Sequence, residues 1–62
     1  MPHLYQMNVL TIIEVGKDGV FLEGEHYGDV HLLDAPKNLR VDEEIEVFIY
    51  RNTSDNVVAT IA

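Results

Sequence analysis

The 62-residue chain is long enough for one domain with one hydrophobic core; 47% of its residues are hydrophobic and none is cysteine, so packing must hold the fold without disulfides or Cys-ligated zinc. Eleven carboxylates against four Lys and Arg side chains give a formal net charge of −7, a field that repels polyanions and leaves any nucleic-acid role to a few well-placed cations. The longest apolar runs, Val9 to Ile13 and Val57 to Ala62, are too short to cross a bilayer as helices, and the N-terminus lacks the basic start and apolar stretch of a signal peptide, so a soluble, cytoplasmic protein away from membranes is expected.

Residues 1–6, with Pro2 and several polar side chains, read as an extended lead-in outside the core. Met7 to Val15 is apolar on both registers, the pattern of a long first strand that bends so that both faces meet the core. Gly16-Lys17-Asp18-Gly19 is a turn, and Val20-Phe21-Leu22-Glu23 a second strand. Gly24 to Gly28 is a glycine-bracketed connection to a third strand, Asp29 to Leu33. Asp34 to Arg40 breaks the alternation: Asp34 can cap one helical turn, and Pro36 suits its start. A fourth strand, Glu44 to Tyr50, sets Ile45, Val47 and Ile49 on one face and Glu46, Phe48 and Tyr50 on the other. The polar turn Arg51 to Asn56 leads to a fifth strand at Val57 to Ile61. Short strands at this spacing, in one small all-β domain, predict a closed five-stranded barrel, because closure removes the exposed edges a sandwich would keep.

Gly19-Val20-Phe21-Leu22 followed by Tyr27-Gly28-Asp29-Val30-His31-Leu32 resembles the S1 RNA-binding module, whose second and third strands read approximately G-A-F-V and E-G-L-V-H-I. Val41 to Val47 is similar to that module's V-G-D-E-V-x-V entry to strand four, with Asp42 in the place of the usual glycine. Ile45 to Tyr50 with Val58-Ala59-Thr60 is closer still to the first S1-like domain of the conserved virulence factor B family (CvfB, the YitL-type proteins), which runs E-V-E-V-F-V-Y and ends L-V-A-T-T. That family's I-L-L-P stretch stands here as His31-Leu32-Leu33-Asp34, and Asn56 occupies a position where it often has arginine. The resemblance implies a five-stranded OB-fold, S1-like Greek-key barrel with a short helical turn between strands three and four. It further implies single-stranded RNA as partner, and a chain that is the first part of a longer protein with more S1-like domains and a winged helix.

An OB barrel binds across strands two and three and the loops joining strands one to two and four to five. Alternation puts Val20, Leu22, Val30 and Leu32 inward, leaving Phe21 and His31 on one outer face where both can stack on bases. Lys17 falls in the first bordering loop and Arg51 at the start of the second, each within reach of a phosphate, and Tyr27 can extend the stacking row. So few cations predict weak, sequence-tolerant binding with a shallow salt dependence. The plainer reading makes Phe21 a surface aromatic and His31 a polar strand residue. Phe48 and Tyr50 point away from the inner row and suit a protein contact, the basis of an alternative reading as an acidic interaction or structural domain; imitation of nucleic acid is a third.

His3, His26 and His31 lack metal-ligand spacing, Asp42-Glu43-Glu44 reads as a solvated turn, Ser54 has no glycine elbow, and Gly16 to Gly19 matches no phosphate-binding fingerprint. No enzyme, metal or cofactor is expected.

Overall fold

Alternating apolar residues become strands where one side of the pleat can be buried, and a computed structural model, describing residues 1–61, contains five: β1 (Gln6–Gly16), β2 (Gly19–Glu23), β3 (Asp29–Leu32), β4 (Glu44–Arg51) and β5 (Val57–Thr60). They close into a barrel in the order β1-β2-β3-β5-β4, with β4 returning to β1. Neighbouring strands are antiparallel except β3 and β5, which run parallel through His31↔Val58 and Leu32↔Ala59. Each strand contributes to the interior: Leu10 and Ile12, Val20 and Leu22, Val30 and Leu32, Val47 and Ile49, and Ala59 are buried.

Closure depends on β1. Gln6 to Thr11 pairs with β4, Ile12 to Gly16 pairs with β2, and the register shifts between Ile12 and Glu14. Such a bulge bends the strand and inverts its alternation. Leu10 and Ile12 face inward before it, and Val15 shares the side of Val20 after it. The expectation that both faces of this strand meet the core is therefore corrected. Met7 and Val9 lie on the outside before the bulge, and Val9 is 61% exposed.

Two further expectations change. The segment before β1 is a turn-containing plug rather than an extended arm: Pro2 is buried, Leu4 packs against the core, and Tyr5 N–H donates to the Ile49 carbonyl at 2.6 Å. The Asn8 carboxamide stitches it down, accepting from His3 N–H and donating to the His3 and Gln6 carbonyls, each at 2.9 Å. The helical turn expected after β3 is absent, and residues 33–43 pass through irregular turns. Asp34 is held elsewhere, its carboxylate accepting from Thr60 Oγ1 and from Ile61 N–H, both at 2.8 Å, and so clamping the end of β5. A carboxylate so engaged cannot cap a helix. The described residues contain one helical element, a single 3-10 turn at Glu25–Tyr27 between β2 and β3.

Asp42, where the resembling module has glycine, holds φ at +75°, in the left-handed region that disfavours side chains. Its N–H donates to the Ile12 carbonyl, and Ile12 N–H donates to the Glu43 carbonyl, both at 2.8 Å, so the backbone is pinned there by β1. Asp42→Gly removes strain of about 1 kcal/mol, part of which is returned as glycine's larger unfolded-state entropy. The expected outcome is a melting temperature about 2–4 °C higher, for a gain of roughly 0.5 kcal/mol. An unchanged or lower melting temperature would contradict this account.

Candidate nucleic-acid interface

Cross-strand register assembles the outer face. Phe21 on β2 lies opposite His31 on β3, and their rings stack with centroids 4.9 Å apart and planes inclined by 22°. Both side chains are half-buried. The position of the imidazole depends on Gly19, which turns the β1–β2 hairpin with φ +118° and has no side chain on that face. A Cβ there would stand 2.7 Å from His31 Nε2, so Gly19 supplies both the turn and the space His31 occupies.

The row continues past the pair. His31 is in register with Val58 on β5, and Val58 with Tyr50 on β4, so Phe21, His31, Val58 and Tyr50 cross four strands on one face. Val58, although outward by register, is only 5% exposed between its neighbours. The Phe48 and Tyr50 rings lie 6.2 Å apart, and Phe48 is opposite Met7 and Thr60 on its flanking strands. The two aromatic pairs that alternation treats separately thus belong to one continuous surface. The signal for Val58 is weak in the sequence, because a parallel contact between β3 and β5 leaves no local mark, while the closeness of Gly19 to His31 follows from the β2–β3 register.

Beside His31, above the β3–β5 seam, is an open cavity of about 390 Å³, walled by Tyr27, Asp29, His31, Asn56, Val57 and Val58 among others. Tyr27 sits in the 3-10 turn against the core, its ring 4.1 Å from that of His26. The β4–β5 loop forming the facing wall is shaped by Asn52, whose Oδ1 accepts from the N–H groups of Ser54 and Asn56, each at 3.0 Å.

The cations are less even than their loop positions suggest. Lys17 is exposed at the tip of the β1–β2 hairpin, two residues before the glycine under His31, and makes no ion pair among the described residues. Arg51 is tethered by its own loop, its guanidinium donating to the Asp55 carbonyl at 3.2 Å and lying 3.7 Å from the Asp55 carboxylate. An exposed pair of this kind is weak and yields to a stronger partner. No cluster of three or more His, Cys, Asp or Glu side chains suited to a metal occurs among the described residues, and no helix there is long and apolar enough to cross a membrane.

A closed five-stranded barrel in this order, with an aromatic pair on β2 and β3 between the β1–β2 and β4–β5 connections, has the architecture of the OB fold. The family model described as S1 domain matches residues 6–62, and the chain belongs to that family. No curated protein and no solved structure matches it. Membership points to nucleic-acid binding, RNA above all, in general terms.

Proposed function

We propose that the chain is a non-catalytic module that binds single-stranded RNA weakly through the β2–β3 face. The observation that carries this reading is the stacked Phe21–His31 pair, half-exposed on the outer face with Lys17 at the adjoining hairpin tip. Stacking on such a platform contributes about 1–3 kcal/mol per base and is indifferent to base identity. Tyr27 lines the cavity beside His31, and Arg51, tied to Asp55 on the β4–β5 loop, is the second cation this reading calls on once released. With a net charge of −7 the affinity is low and the salt dependence shallow. The run Ile45 to Tyr50 with Val58 to Thr60 supports a closer kinship with the first S1-like domain of the conserved virulence factor B family, hence a cytoplasmic protein with further S1-like and winged-helix domains.

Titrating single-stranded RNA oligomers into isotope-labelled protein is expected to shift the amides of Lys17, Phe21, His31 and Arg51 first. Phe21→Ala should weaken binding about tenfold or more, the loss of one stacked base. Unmoved resonances at these four residues would refute the proposal. The second reading, a protein-contact surface, is favoured by exposed Met7 and Val9 on the strand beside Phe48; shifts confined to Met7, Val9, Phe48 and Tyr50 on adding a basic protein would support it.

A further inference from the structure

We infer that the cavity above the β3–β5 seam reads the Watson–Crick edge of one guanine base; this rests on the RNA-binding reading above and adds a base preference to it. The walls meet three requirements of a base pocket. His31 stands on one side, itself backed by the Phe21 ring, and offers a flat stacking surface. Val57 and Val58 supply an apolar part, and the volume of about 390 Å³ falls in the range of small-ligand sites. Asp29, Asn56 and Tyr27 supply polar groups, and none of these side chains has a hydrogen-bond or ion-pair partner among the described residues.

The charge of the lining selects what can enter. It contains a carboxylate and neither Lys nor Arg, so it rejects phosphate and leaves the RNA backbone to the Lys17 side of the face. A carboxylate is an acceptor with two oxygens and pairs best with two adjacent donors. Guanine presents such a set in N1–H and the N2 amine. Adenine and cytosine set one amine beside a ring nitrogen whose lone pair the carboxylate repels, and uracil has a single N–H between two carbonyls. Single-stranded RNA leaves these edges open to be read.

The test compares short uridine oligomers carrying one central guanosine, inosine, adenosine or cytidine, by fluorescence anisotropy, on the wild-type chain and on Asp29→Asn. The guanosine oligomer should bind about tenfold more tightly than the others, in the range of one bidentate base contact. Inosine, which lacks the N2 amine, should fall with the rest. Asp29→Asn should abolish the preference while leaving uridine binding equal or stronger, since a negative charge is lost. Equal binding of all oligomers, or a guanosine preference that survives Asp29→Asn, overturns the pocket assignment and leaves the stacking platform standing. If no oligomer binds at all, both readings fall.

Discussion

Leu22→Ala is expected to lower stability by about 3 kcal/mol, within the range for removing a large aliphatic side chain from a packed core. Leu22 has no exposed surface and sits at the centre of the barrel wall, opposite Ile12 on β1 and Val30 on β3, which are equally buried. Neither neighbour can collapse into the space without breaking its own strand register. A domain of this size has only several kcal/mol to lose, so the melting temperature should fall by roughly 12–24 °C. Thermal unfolding followed by circular dichroism measures it; a loss below about 1 kcal/mol would place Leu22 outside the cooperative core. The neighbouring Phe21→Ala provides the contrast. One residue along the strand, the side chain points to the other face, and its truncation should weaken RNA binding much more than it weakens the fold.

Gly24→Ala is expected to cost about 1–3 kcal/mol, for a different reason. Gly24 is buried at the start of the β2–β3 connection with φ −97° and ψ 10°, angles an alanine can adopt, so backbone strain is not the issue. Space is. A Cβ would stand 2.5 Å from Val30 Cγ2 and 2.6 Å from the Gly28 carbonyl oxygen. Val30 is locked in the core, and the Gly28 oxygen accepts from Gly24 N–H at 2.9 Å, so neither can retreat without cost. The 3-10 turn carrying Tyr27 is bounded by this contact, and its displacement should also alter the cavity wall. Urea unfolding of Gly24→Ala and the Tyr27 ring resonances report the two effects; wild-type stability would show that the connection can widen freely.

Much of the barrel is legible in the chain because alternation is a local property. Leu22, Val30, Val47 and Ile49 are assigned inward by their neighbours alone, and the structure buries them. Phe21 and His31 are assigned outward by the same rule, and their register brings them into contact. Alternation fails where an extra residue enters. Both registers of β1 are apolar, so spacing alone does not choose between them: the structure buries Leu10 and Ile12, leaves Met7 and Val9 outside, and turns Val15 to the side of Val20 only after the bulge near Ile13. It fails again at Asp34, which has the composition of a helix cap but is drawn to Thr60 and Ile61, twenty-six and twenty-seven residues away.

Strand number, inward rows, turn positions and the S1-like motif order are all present in residue types and spacings, since each reflects interactions within a few neighbours. The joining of Phe21, His31, Val58 and Tyr50 into one face and the cavity bearing Asp29 opposite the β4–β5 loop belong to barrel closure. They depend on the parallel contact of β3 with β5, made between segments more than twenty residues apart, for which spacing along the chain carries no signal.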